Sequence, residues 1–194
     1  MNLKLIITDF DGTLVNTFEA NYQAYAEAFT QCDRKLTRDS YRQCFGYRYD
    51  DFMRAVGVDD ADVRQRIRKI KGEVYPSYFE YLQSNEPLIN FIRAFHRGGG
   101  KTAIASTARR LNLVNTLRYL HLTELFDCIL AGEDVTHGKP NPEIYLKVME
   151  RMEVSARQTL IFEDSEVGFE AAEASGVQCV KINQAFYGYC SKRS

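Results

Sequence analysis

Short apolar runs that recur with helix-patterned segments between them constrain this chain more than any other feature. Leu3 to Thr8 is rich in Ile and Leu and bounded by Asp and Gly, the pattern of a buried strand. Runs of the same kind are KTAIAS at 101–106, CILAG at 128–132, TLIFED at 159–164 and VQCVKI at 177–182. Helical spacing fills the gaps. Leu88, Ile92 and Phe95 share a face after Pro87, with Gly98 placed as a C-terminal cap. Leu113, Leu117 and Leu120 form a second stripe. Ile144, Tyr145, Val148, Met149 and Met152 form a third, opened by Pro142. A fourth segment, Glu166 to Ser175, ends at Gly176, and Gly168, Ala171 and Ala172 allow it to approach a sheet closely. Strand alternating with helix predicts an α/β fold, a doubly wound parallel sheet with helices on both faces.

Residues 16–85 interrupt the alternation, and no strand is evident there. Phe18, Tyr22, Tyr25 and Phe29 repeat at helical spacing, as do Val63, Ile67, Ile70, Val74 and Tyr78. Pro76 is expected to kink or restart the second of these helices. The predicted organisation is a core of residues 1–15 and 86–194 and a small all-α insert of residues 16–85. A length of 194 residues suits one domain carrying such an insert. The tail beyond Asn183, with Tyr187, Gly188 and Tyr189, carries no pattern.

Composition narrows the function classes. Lys and Arg number 25 and Asp and Glu 26, a formal net charge of −1, so neither nucleic acid nor an acidic membrane surface is an expected partner. The run Arg64, Arg66, Arg68, Lys69 and Lys71 is interleaved with Val63, Ile67, Ile70 and Val74 and reads as the wet face of an amphipathic helix. The aromatics between Tyr75 and Tyr81 read as core of the insert. The five cysteines (Cys32, Cys44, Cys128, Cys179 and Cys190) are scattered with no CxxC, which argues against a disulfide framework or a zinc site. His96, His121 and His137 form no cluster. With no charged leader before Leu3 and no apolar run long enough to span a bilayer, a cytoplasmic location is expected.

The first strand runs into IITDFDGTLVNT. Residues two apart on a strand project to one side, so Asp9 and Asp11 would point together at its C-terminal end, where open α/β sheets bind ligands. Two such carboxylates need a cation between them or a proton on one of them. Mg²⁺ suits oxygen ligands and a substrate phosphate. Other strands end comparably: Ser106 and Thr107 offer hydroxyls to a phosphate, Glu163 and Asp164 are a second carboxylate pair, and Lys139 lies in HGKPNPEIY before the helix at Pro142. Alone, each has a plain alternative: an acidic turn, a helix cap or a solvated lysine. Together they point to phosphate and metal.

DFDGTL, AIAST, GKPNPEIYL and IFEDSEVGFEAA resemble, in order, the four motifs of the haloacid dehalogenase-like hydrolases. The resemblance covers 1–15 and 86–182, and the helical interval resembles the family's small α-helical cap. It implies a Rossmann-like core and a phosphatase acting through an aspartyl-phosphate. Asp9 would be the nucleophile and Asp11 the general acid and base. Ser106 would hold the phosphoryl group, with Lys139 neutralising charge. Mg²⁺ would be held by Asp9, the Asp11 carbonyl and Asp164, with Glu163 inner- or outer-shell. Dehalogenating members lack the second aspartate, so Asp11 argues for phosphate chemistry. Gly12 lets the chain turn, Thr13 hydrogen-bonds locally, and the peptide before Pro140 is cis in relatives. Gly12 and Thr107 would line the substrate's phosphate.

The insert resembles the caps of β-phosphoglucomutase and sugar-phosphate phosphatases, with CFGYRYDDF as the specificity loop. Phe45 and Tyr49 stand where the mutase has basic residues, Arg48 is the one cation of that loop, and Asn21 replaces a histidine. These departures favour hydrolysis of a small phosphorylated metabolite over phosphosugar mutation. Arg109 could reach a distal substrate group, although an exposed arginine is the simpler expectation. A signalling receiver domain shares the chemistry but would place acid pair and acceptor on different strands and lack the insert. A monomer or small homo-oligomer is expected.

Overall fold

Five strands form one parallel sheet, with β1 (Leu5–Thr8) in its middle. The structure, a computed structural model, describes residues 2–183; Cys190 and the Tyr187–Tyr189 stretch lie outside them. By contacts the chain divides into two compact units, one made of the chain up to Asn16 and from Gln83 onward, the other Thr17–Leu82.

In the first unit β1 is flanked by β4 (Lys101–Ala105) and β6 (Thr159–Glu163). Outside these lie β5 (Cys128–Leu130) and β7 (Gln178–Lys181), giving the order β5-β4-β1-β6-β7. All five apolar runs are therefore strands of one parallel sheet, as the sequence predicts. Leu5 and Ile7 of β1, with Ala103, Ala105 and Ile161, form one apolar face. Against it lie Ile144, Tyr145, Val148 and Met149 of α7 (Glu143–Met152) and Ala171 and Ala172 of α8 (Glu166–Ala174). Ile6 and Thr8 point the other way, as strand alternation requires. There α5 (Glu86–Arg97) buries Leu88, Ile89 and Ile92, and Phe91 meets Phe162 edge to face. Helix α6 (Arg110–Tyr119) follows β4.

The expectation of no strand in 16–85 fails at both ends. Val15–Asn16 (β2) pairs antiparallel with Gln83–Ser84 (β3). Two residues per strand are too few for an alternation pattern, so nothing in the sequence announces them. Asn85 secures the junction. Its N–H donates to the Leu14 carbonyl at 2.9 Å, its amide to the Thr13 carbonyl at 3.1 Å, and its Oδ1 caps α5 at Leu88 N.

The second unit holds α1 (Phe18–Thr30), α2 (Arg38–Gln43), α3 (Tyr49–Ala55) and α4 (Ala61–Val74). A 3₁₀ turn, Tyr75–Tyr81, follows α4 with Pro76 in its first turn, so the proline restarts the helix in a tighter form. Tyr41 is the hub of this core, its ring within 6.0 Å of those of Phe18, Tyr22, Tyr25, Phe45 and Phe52. Reading the basic run as uniformly wet fails at Lys71. That side chain is buried, with Nζ 3.7 Å from the ring centroid of Tyr75 and 5.1 Å from that of Tyr25. Among the described cysteines, Cys32, Cys44, Cys128 and Cys179 are free thiols. No described helix is long and apolar enough to cross a membrane.

Candidate active site

The register of β1 decides what meets at its C-terminal end. Thr8 is level with Ile104 on one side and Phe162 on the other, so Asp9 emerges between Ala105 and Glu163. Its N–H donates to the Phe162 carbonyl at 2.9 Å, extending the ladder by one residue. The chain then reverses tightly: Leu14 and Val15 donate to the Phe10 carbonyl, and Gly12 N–H donates to the Val15 carbonyl. Gly12 has φ +93°, and a Cβ there would lie 2.2 Å from Asp164 Oδ2. Expected among the substrate-binding residues, Gly12 gives that N–H to Val15; what it offers the site is room for Asp164. Thr13, expected to bond locally, sends its hydroxyl across the chain to Asp164 Oδ1 at 2.8 Å.

Lys139 is delivered by the loop before α7, through a cis peptide to Pro140. Its side chain is 5% exposed. The ammonium has three acceptors for its three protons: Asp9 Oδ1 at 2.6 Å, Glu163 Oε1 at 2.5 Å and the Ala105 carbonyl at 3.1 Å. Glu163 is wholly buried and saturated. Oε1 takes Lys139 and the Tyr145 hydroxyl (3.0 Å); Oε2 takes Asp164 N, Ser165 N and Ser165 Oγ. A Cβ at residue 168 would come within 1.9 Å of Glu163 Oε1, which is why a glycine stands there.

Asp9, Glu163 and Asp164 each bring an oxygen within 4.8 Å of the others. One ammonium faces two buried carboxylates, Asp9 and Glu163, and a half-buried one, Asp164, and the charges respond accordingly. Burial pushes Asp9 well above the usual carboxylate range; Lys139 pulls it back, while Glu163 and Asp164 push it further. Burial likewise raises Asp164 to about 6, with the Glu163 charge adding to it and the Thr13 hydrogen bond opposing it. Burial also acts to raise Glu163, but the Lys139 charge and the hydrogen bonds from Lys139 and Ser165 leave it below its ordinary value. Burial works against the Lys139 charge, yet Asp9, Tyr145 and Glu163 hold its pKa well above that of a free lysine. The negative charge left on Asp9 and Asp164 suits a divalent cation bound through oxygen.

Ser106 is buried after β4, with Oγ 3.5 Å from Asp11 Oδ2 and accepting Ala108 N–H at 3.0 Å. Thr107 follows it, half-buried; Gly132 lets the neighbouring loop close on the Thr107 carbonyl. Arg109 is less exposed than expected. It is the N-cap residue of α6, with Nε buried, lacking a hydrogen-bond partner, and 3.8 Å from Glu133 Oε1. The first unit thus brings together Asp9, Asp11, Gly12, Ser106, Lys139, Glu163 and Asp164. Arg48 belongs to the other unit, exposed at the N-cap of α3. The sequence reading missed Asn85, which ties the Asp loop to α5, and took Tyr145 only as a core residue. An Asn before Glu-Pro was the available signal for the first; for the Tyr145 hydroxyl there was none.

Residues 6–182 match the family model described as haloacid dehalogenase-like hydrolase. The chain is 28% identical over 182 residues to the phosphorylated carbohydrates phosphatase of Thermotoga maritima, covering 91% of this chain and 83% of the relative. It is 25% identical to the pyrophosphatase PpaX of Halalkalibacterium halodurans, covering 97% and 87%. The crystal structure of CbbY from Rhodobacter sphaeroides in complex with phosphate superposes with a TM-score of 0.82 at 27% identity, covering 94% of this chain and 88% of that one.

Proposed function

This chain belongs to the haloacid dehalogenase-like hydrolases, and from that premise we propose that it is a Mg²⁺-dependent phosphatase of a small phosphorylated metabolite, a sugar phosphate or similar monoester. The observation that carries the reading is Asp9 in a buried site, held by Lys139 at 2.6 Å, with Asp11 beside it and Ser106 facing Asp11. An Asp9 oxygen attacks phosphorus; the O–P bond forms as the bond to the leaving oxygen breaks, and Asp11 gives that oxygen its proton. Asp11 then takes a proton from water, whose oxygen attacks the aspartyl-phosphate, releasing phosphate and restoring Asp9. Lys139 and Ser106 hold the phosphoryl oxygens as charge develops. A bound Mg²⁺ would supply charge neutralisation there. Asp9 and Asp164 would hold it with the Asp11 carbonyl, and Glu163, its lone pairs occupied, supports from outside.

Relatives named for phosphorylated carbohydrates and pyrophosphate support phosphate as the transferred group. Thr107, Arg109 and Arg48 are assigned to substrate recognition. Arg109 Nε, without a hydrogen bond and held only by the longer ion pair to Glu133, supports an anionic distal group on the substrate. Against a mutase stands the specificity-loop segment, where Phe45 packs on Phe18 and Tyr41, and Tyr49 donates to the Arg64 carbonyl.

A screen of phosphorylated metabolites with Mg²⁺ tests the reading. Inorganic phosphate is expected from at least one monoester. Asp9→Asn should reduce turnover by about 10⁴-fold or more and Asp11→Asn by about 10² to 10⁴-fold. Full activity in Asp9→Asn would exclude the mechanism, and conversion of a hexose 1-phosphate to its 6-phosphate would favour a mutase.

A further inference from the structure

Tyr145 is wholly buried, and its side chain touches both members of the Lys139–Glu163 pair. Its hydroxyl donates to Glu163 Oε1 at 3.0 Å, and its ring centroid lies 5.1 Å from Lys139 Nζ. We infer that Tyr145 is a positioning residue for Lys139: by holding Glu163 Oε1 it sets how the ammonium is shared between Glu163 and Asp9. The inference rests on the phosphatase reading for its effect on turnover, but not for its effect on Lys139.

Hydrogen-bond valence limits what the Glu163 carboxylate can do. Glu163 Oε1 has two acceptor sites, and they are filled by Lys139 and Tyr145. Oε2 is pinned by three donors from residues 164 and 165, so the carboxylate cannot turn to find another. On the far side the backbone of Gly168 packs closely against it, a Cβ there falling 1.9 Å from Oε1. Without the phenol hydroxyl, Oε1 would lose one of its two donors and keep Lys139 alone. The group able to answer is the Lys139 ammonium, which would draw closer to Glu163 and turn from Asp9. A ring without the hydroxyl keeps the packing of α7 on the sheet, so the polar contribution separates from the apolar one. Ser165 Oγ cannot take its place, since it is already on Oε2.

The test is Tyr145→Phe, read in two ways. Metal-free protein carrying ¹⁵N-lysine is observed through the Lys139 ammonium resonance. In the natural sequence that resonance should show a nuclear Overhauser contact to the Tyr145 ring, and in Tyr145→Phe it should shift. An unmoved resonance, or no contact to the ring in the natural protein, overturns the inference whatever the activity. Kinetically, Tyr145→Phe should lower kcat roughly tenfold with KM within about twofold, the scale of one lost hydrogen bond to a charged group. The same change should have no further effect in Glu163→Gln, because it acts through that carboxylate. Equal losses in both backgrounds would also overturn the inference. A natural protein that cleaves no phosphate ester would sink the phosphatase reading alone, and the resonance would still decide the role of Tyr145.

Discussion

Each of the two units buries a lysine, and each surrounds it differently. In the core Lys139 is met by Asp9, Glu163 and the Ala105 carbonyl. In the inserted unit Lys71 lies over the rings of Tyr75 and Tyr25. An ammonium over aromatic faces is drawn to the negative face of the ring quadrupole. An ammonium among carboxylates brings an excess of them, and here the excess is large enough to raise Asp9 and Asp164. Burial alone therefore does not mark a functional lysine. What separates the two is the excess of carboxylates around Lys139, where Asp9 and Glu163 share one ammonium.

The contrast breaks most sharply under Lys139→Met against Lys71→Met. Lys139→Met strips the counter-charge from two buried carboxylates. It should cost about 3–5 kcal/mol in a urea titration of metal-free protein, and reduce phosphate release about 10²-fold or more. Gly12→Ala comes next. It forces a Cβ against Asp164 at a positive φ, and should cost about 1–3 kcal/mol while weakening the Mg²⁺ dependence of activity. The third effect is one of pH and metal. Asp164 is held near 6 against an ordinary value of 3.8, so the folded state binds its proton more tightly than the unfolded chain does. Metal-free protein should then be most stable below about pH 4 with respect to this group, and lose that contribution as pH rises through about 6. Asp9 acts in the same direction. Mg²⁺ should reverse the loss, adding about 2.7 kcal/mol at a hundredfold excess over its Kd, and calorimetry with and without EDTA reads both halves. Lys71→Met should show the smallest change, within about 2 kcal/mol of stability and with kcat kept. A larger loss of activity there would abolish the distinction between the two lysines.

The sheet was legible because five apolar runs, each bounded by turn residues, leave little choice of element, and alternation with helices leaves little choice of topology. The loops at the strand ends were legible for a related reason: Asp9, Ser106 and Asp164 follow their strands directly, so placing the strands places them. What stayed hidden depends on contacts that sequence distance conceals. Thr13 reaches Asp164 across 151 positions. Glu163 reads as a metal ligand from its neighbour Asp164, yet its oxygens are filled by Lys139, Tyr145 and its own following loop. Lys71 follows the period of its helix's polar residues, and only the fold brings two tyrosine rings to it. The side-chain period states which way a residue points, not what waits there.

The ladder of Val15–Asn16 with Gln83–Ser84 has an architectural consequence. The chain leaves the first unit and returns to it at adjacent, hydrogen-bonded residues, so the segment from Thr17 to Leu82 begins and ends beside one short ladder. A graft that respects those four residues would exchange the whole inserted unit for another of different length. The central sheet need not change register, and the Asp loop stays tied at Asn85. The inserted unit and the sheet that carries the Asp loop can thus be inherited separately, divided at one pair of dipeptides.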